Sequence, residues 1–291
     1  MTTFIHSFRI GGGKRAQRSA SDRSRRRAKL EYDWNRLSKQ LGPAELEEIA
    51  EHRELGRLVL PLVTANNSRV LVPTDTVNVM VDGEVCEMVM NSDHKSLGAL
   101  RMDSTDGVVI KVQEENWGFT DQPQLKCVAS QRLVVHQRLF ESPMPIAVVE
   151  LVEDLRTEGI NEELELLMAV REVNRVMDNI EKIDLFLEGH LNVLSDVSSS
   201  LDMVRGFTRQ VRAYRDVAKK SGDTMLSKEE ILSFALLRAL ALQPDDKVMQ
   251  LRNISSMQRL HFAEVELSRG LRALKEFVVE NYEDRPPDLL D

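Results

Sequence analysis

Residues 125–154 read LKCVASQRLVVHQRLFESPMPIAVVELVED. Valine and other strand formers crowd both halves of this stretch, and Pro143 and Pro145 mark a turn between them. The same texture runs back to residue 57. GRLVLPLV, RVLVP, TVNVMVD, EVCEMVM, GALRMD and GVVIKVQEENWGF are further short runs, parted by Asn66-Asn67, Pro73, Asp82-Gly83 and Asp106-Gly107. Asp106-Gly107 is the best hairpin signal, because such a dipeptide accepts the positive φ of a tight turn. Many short strands with no helix between them predict a small closed or half-closed barrel over residues 57–150.

Outward from this region the period changes. Before it, GPAELEEIAEHREL predicts a short helix at about 43–55, with Pro43 in the first turn and Glu45, Glu47 and Glu48 at the positive end of the dipole. After it, from Asn161, Leu164, Met168, Val173, Val176, Ile180, Ile183, Leu187, Leu191 and Leu194 form one long helical stripe. A second helix is expected over 201–219. Ser227 and Glu230 then have capping-box spacing, opening EEILSFALLRALAL. That helix is apolar nearly all round, so it is expected to be the most buried one. QPDDKVMQLRN predicts a short helix, SSMQRLHFAEVELSRGLRALKEFVVENY a long last one, and Pro286-Pro287 a stop before the tail.

The chain has 291 residues and is 42% hydrophobic, enough to build a real core. No stretch approaches 18 consecutive apolar residues, so no membrane-spanning helix is expected. Cys86 and Cys127 lack metal or redox spacing and read as small buried hydrophobes, in keeping with a reducing compartment. The charge is uneven. Residues 1–30 carry Arg9, Lys14, Arg15, Arg18, Arg23, Arg25, Arg26, Arg27 and Lys29 against Asp22 alone, a net +8. The whole chain is −8, so the remainder is −16. A basic arm precedes an acidic body, and such asymmetry bears on partners rather than on fold.

The chemistry-bearing residues assemble into no catalytic set. Gly13-Lys14 is followed by Arg15 and has Phe8 five positions before Gly13, so the glycine run is not a phosphate loop. His6, His52, His94, His136, His190 and His261 are scattered, with no two at ligand spacing. There is no HExxH, no nucleophile elbow and no outstanding carboxylate pair. Trp117 reads as a core aromatic. Trp34, at the foot of the arm, reads as an anchor that docks on a partner or back on the body. No catalytic residue, cofactor or metal is expected.

Several stretches together resemble the N-terminal substrate-binding domain of Lon proteases. They are Pro61-Leu62 in LVLPLV, LVPTDTVNVMVDGEVCEMV, Gly98–Met102 in LGALRM, and Arg132-Leu133 in CVASQRLVV. PMPIAVVELVED at Pro143–Asp154 follows. The strongest match is QPDDKVMQLRNISSMQRLHFAEVEL at Gln243–Leu267, with Pro244, Leu251, Arg259 and Leu260 in register. The resemblance covers about residues 55–280. It implies an α+β fold: a small PUA-like β-barrel followed by an α-helical bundle, here with an extended basic N-terminal arm. It also implies binding to exposed protein segments. The ATPase and Ser-Lys protease modules of that family find no counterpart after it, so recognition without turnover is expected.

The expected organisation is an arm and linker over 1–40, a short helix and barrel over 41–155, a helical bundle over 156–283 and a tail over 284–291. Residues 1–30 show neither helical nor strand period. Their Arg/Ser-rich, acid-poor composition fits an organelle transit peptide. The family resemblance implies the plastid stroma as the expected location, with the cytoplasm as the alternative. A nucleic-acid role is disfavoured by few aromatics and by the −16 body. Arginine forks binding carboxylates favour a tether onto acidic subunits of a large protein assembly, such as a plastid light-harvesting phycobilisome. The partner-binding residues are then Arg9, Lys14, Arg15, Arg18, Arg23, Arg25, Arg26, Arg27 and Trp34. The alternatives are a chaperone-like or proteolysis adaptor presenting clients, and an RNA-binding PUA-like protein.

Overall fold

The computed structural model describes residues 32–37, 40–65, 70–101, 104–116, 122–141, 144–155, 159–189, 226–240 and 242–282. The basic arm, Asn66-Asn67, Trp117, the helix expected over 201–219 and the 284–291 tail lie outside them. After a single 3-10 turn at Trp34–Leu37 come helix α1 (Pro43–Glu54), strands β1 (Leu58–Ala65) and β2 (Thr76–Met80), and helix α2 (Gly83–Met90). Strands β3 (Ser96–Arg101), β4 (Asp106–Asn116), β5 (Gln124–Phe140) and β6 (Ile146–Val152) follow. Helices α3 (Ile160–Gly189), α4 (Lys228–Ala239), α5 (Pro244–Arg252) and α6 (Ser256–Asn281) complete the described chain. The fold is α+β, with a small barrel followed by helices.

The strands close into a ring. β1 pairs in parallel with β3 and antiparallel with β6, β3 pairs with β4, β4 with β5, and β5 with β6. The closure depends on the 17 residues of β5. One edge of β5 meets β4, while the other meets β2 through Gln124–Val128 and then β6 from Arg132 onward. β2 is therefore displaced from the ring and ends the sheet.

Two local expectations are corrected. EVCEMVM, read as a strand, is helix α2: Val85, Cys86, Met88 and Val89 are buried at helical spacing while Glu87 faces solvent. Valine content favoured a strand, and the tertiary contact of that face overrode it. Asp106-Gly107 is not a hairpin turn but the start of β4, with Gly107 opposite Leu100. The glycine is required there by close approach. A Cβ at Gly107 would lie 2.3 Å from the Ala99 carbonyl oxygen and 2.3 Å from Leu100 Cδ2.

Two hydrophobic cores meet at one helix. The first fills the barrel and takes in Trp34, Leu37 and Ile49, together with Phe234, Leu237 and Leu251 from α4 and α5. The second lies between α3 and α6, with Leu236, Ala239 and Leu240 of α4. Because α4 is apolar on both sides it serves both cores, as its all-round pattern suggests. α3 and α6 run side by side in the same direction, so that Phe186 and Tyr282 meet edge-on at 5.4 Å near their C-terminal ends. The Ser227 hydroxyl caps α4 by accepting from the Glu230 amide at 3.1 Å.

Gly107→Ala is expected to lower stability by about 1–3 kcal/mol, because backbone stands where the methyl must go. A urea melt with an unchanged midpoint would contradict this close approach.

Candidate functional site

The stretches that carried the sequence resemblance converge on one buried cluster. Arg132 comes from β5, Asp154 from the end of β6, and Arg259 from α6. Both guanidiniums are fully enclosed, and both bind the Asp154 carboxylate. Arg259 does so bidentately, with Nη1 donating to Oδ1 at 2.9 Å and Nη2 to Oδ2. Its Nε donates to the Ser233 hydroxyl at 3.0 Å. Arg132 Nη1 donates to the carbonyls of Leu251 at 3.0 Å and Asn253 at 2.8 Å. Ser256 also donates to Asp154. Phe234 lies between the cations, its ring centre 4.2 Å from the Arg259 guanidinium carbon and 5.5 Å from that of Arg132. These are structural contacts: they join barrel to helices and leave no face of either arginine to a ligand.

Glu230 completes the cluster, 3.8 Å from Arg132 Nη2. Its Oε1 and the Nε of Arg132 have no hydrogen-bond partner. Burial first, and the Asp154 carboxylate second, push Glu230 up to about 7 against the pull of the two arginines. Sequence reading gave Glu230 only a capping role and gave Asp154 none. The available signal was an acid in a helix otherwise apolar all round.

Further arginines brace the same boundary. Arg238 of α4 pairs with Asp75 at 3.0 Å and donates to the Thr74 carbonyl at 2.8 Å. Arg252 pairs with Asp106 at 2.7 Å, and Arg101 with Asp245 at 3.1 Å.

The open feature lies at the other end of β5, where β2 leaves the ring. A cavity of 520 Å³ is lined by Leu62, Val63 and Thr64 of β1, by residues 77–82, and by Val85, Gln122, Met144 and Pro145. Its walls include two strand edges. Val81 N–H donates to the Pro123 carbonyl, so by alternation Val79 and Val77 face β5 while the backbone of Asn78 and Met80 faces away from it. Leu62 N–H donates to the Pro145 carbonyl, and Thr64 has the same orientation beyond the point where β6 begins. Among the described residues, no strand pairs with β2 on its outer side, nor with β1 past Leu62 on the β6 side. The side chains of Val63, Val77 and Val79 are half-buried, whereas Met80 is 55% exposed. Asp82 is the charged residue of the lining.

Of the expected partner-binding residues, Trp34 is described. Its indole is buried in the barrel core, 5.4 Å from the Tyr32 ring, so it docks on its own body and presents no surface to a partner. Arg9, Lys14, Arg15, Arg18, Arg23, Arg25, Arg26 and Arg27 lie outside the described residues.

Nucleophilic cysteine chemistry has no support. Burial above all pushes both Cys86 and Cys127 up to about 12, with Glu115 beside Cys86 adding to the effect. Among the described residues no three His, Cys, Asp or Glu are grouped to hold a metal. No helix there is long and apolar enough to cross a membrane.

The structure resembles Lon N-terminal domains. One is the N-terminal domain of the Mycobacterium avium complex Lon protease, at 14% identity and a TM-score of 0.40, covering 72% of this chain and 98% of that one. Another is the Lon N-terminal domain protein from Xanthomonas campestris, at 16% identity and a TM-score of 0.38, covering 70% of this chain and 95% of that one. No protein-family model matches the sequence, and no curated protein matches it.

Two outcomes follow from the buried cluster. Asp154→Asn leaves two enclosed cations short of a counter-charge and is expected to cost about 3–5 kcal/mol in chemical denaturation. Glu230 titrates near 7 folded and near 4.5 in an ordinary setting, so its contribution is complete below about 4.5 and is lost as pH rises through 7. Glu230→Gln is therefore expected to raise stability at pH 8, by on the order of 1–3 kcal/mol, and to change little at pH 4.5. Equal shifts at both pH values, read from thermal melts, would contradict the raised pKa.

Proposed function

We propose that this chain is a non-enzymatic protein-recognition body that takes extended segments of other proteins into the groove between β1 and β2. One observation carries the reading: among the described residues β2 ends the sheet, and its outward edge lines a cavity walled by valines and by Asn78, Asp82 and Gln122. Unpaired strand edges bind extended peptides through main-chain hydrogen bonds, and flanking apolar pockets read alternate side chains. The cavity volume lies in the range of functional sites. The sequence resemblance to Lon N-terminal domains implies the same class of ligand.

The basic arm, in this reading, tethers the body to acidic protein subunits of a larger assembly. Seven arginines within residues 1–30 supply the forks, and the −16 remainder disfavours the RNA-binding alternative. A plastid antenna as the setting rests on the composition of residues 1–29 and on the family resemblance.

Asn78→Pro tests the groove. It removes an N–H that points away from β5, so the β2–β5 ladder survives while strand addition is blocked. Capture of unfolded client peptides is expected to fall by about tenfold or more, with the melting temperature little changed. Undiminished capture overturns the groove. Arg25→Glu, Arg26→Glu and Arg27→Glu together test the tether. Co-purification with acidic subunits in a fixed ratio is expected to be lost, with the sharpest contrast at low salt. A sub-stoichiometric yield with varied clients from the unaltered chain favours the adaptor reading instead.

A further inference from the structure

Among the described residues nothing covers the outer edge of β2, and the strand itself carries neither a charge nor a proline to keep that edge from pairing. TVNVM contains no charge and no proline, in a chain that is 30% charged. It is rich in strand formers and forms a wall of the groove. Natural edges of this kind are covered, charged or bulged, because bare ones recruit other strands.

The same chain carries a segment of matching character. Over thirty residues the arm shows no period, but within it Phe4–Ile10 reads FIHSFRI. Alternation sets Phe4, His6, Phe8 and Ile10 on one side, and Ile5, Ser7 and Arg9 on the other. In an added strand the first set meets the half-buried Val77 and Val79 side of β2. The second brings Arg9 toward the side of Asn78, Met80 and the nearby Asp82 carboxylate. The groove lining has a carboxylate and no Lys or Arg, so the charges are complementary.

The tether reaches. Tyr32 is fixed to the body, its hydroxyl donating to the Ser96 carbonyl at 2.6 Å. Arg36 pairs with Glu87 of α2 at 3.7 Å. Asp82 and Val85, at the start of α2, line the groove, roughly one helical turn from that pair. The 22 residue steps from Ile10 to Tyr32 span up to about 70 Å, far more than is needed. Gly11-Gly12-Gly13 directly follows the segment and gives the chain the freedom to turn out of the groove.

We infer that Phe4–Ile10 adds to the outer edge of β2 in its own chain and occupies the recognition groove until a client displaces it. This rests on the groove reading above and deepens it: the arm carries both a tether and an internal competitor. A tethered competitor acts at high effective concentration without contacts stronger than a client's own, so occupation in cis is favoured over exchange between copies.

Residue-resolved amide exchange on the full chain tests the inference. In the unaltered protein the Asn78 and Met80 amides are expected to be protected, independently of protein concentration. In the full chain bearing Phe4→Asp and Phe8→Asp they are expected to exchange at least about tenfold faster. A synthetic peptide of residues 1–12, added to that variant, is expected to restore protection. Equal exchange in the two proteins, or no restoration by the peptide, overturns the self-occupancy. Protection that fades on dilution overturns the cis arrangement in favour of exchange between copies. Client capture is measured in parallel. If it still depends on Asn78→Pro while the arm variant leaves exchange unchanged, the inference has failed and the groove reading stands. If neither substitution matters, both have failed.

Discussion

The Asp154 carboxylate holds two buried guanidiniums, and the relation of barrel to helices depends on that contact. Arg132 and Arg259 come from parts of the chain more than a hundred residues apart, and neither keeps appreciable contact with solvent. Desolvating two such cations is costly, and the carboxylate offsets the cost only because other groups complete the shell. Leu251 and Asn253 supply carbonyls, Ser233 and Ser256 hydroxyls, and Phe234 an aromatic face. Glu230 stands at the margin with one oxygen unbonded, as befits a carboxyl whose pKa burial has raised toward neutrality.

The position of Arg132 also links this junction to the open groove. Upstream of it, β5 pairs with β2 as far as Val128; from Arg132 onward β6 takes that edge. Closing the ring with β6 thus excludes β2, and among the described residues the excluded strand keeps one edge without a strand partner. The fixing of Arg132 to the helical half and the exposure of β2 are consequences of the same strand exchange. A bulge in the β4–β5 pairing, where Val109 and Ile110 face Gln131 and Ala129, falls where β5 passes from β2 to β6.

Much of this architecture was legible in the sequence. Valine-rich runs gave the barrel, the 3.6 period gave α3 and α6, and all-round apolarity marked α4 as the most buried helix, which the structure shows shared by both cores. The misreadings share a cause. α2 and Gly107 were judged on local preference, whereas a packed helix face decided the first and the proximity of Ala99 the second. Arg132 and Arg259 stood out through motif resemblance, but their shared partner could not, because its position depends on a closure no single segment encodes. Trp34 stood out as an anchor, and its burial makes it an anchor to its own core. The groove was the least legible feature: Asn78 and Met80 are ordinary residues, set apart only because no strand pairs with their outer edge among the described residues.

The resulting picture separates chemistry from recognition. The cysteines are held as thiols, and the buried charges are consumed by structure. Among the described residues, backbone at a strand edge beside half-buried valines is open to another molecule. The most direct measurement is an NMR spectrum of the chain bound to an isotope-labelled extended client peptide. The account predicts cross-strand contacts between the peptide backbone and Asn78 and Met80. Contacts confined to the exposed Leu164, Leu167 and Met168 side of α3, with none at β2, would contradict it.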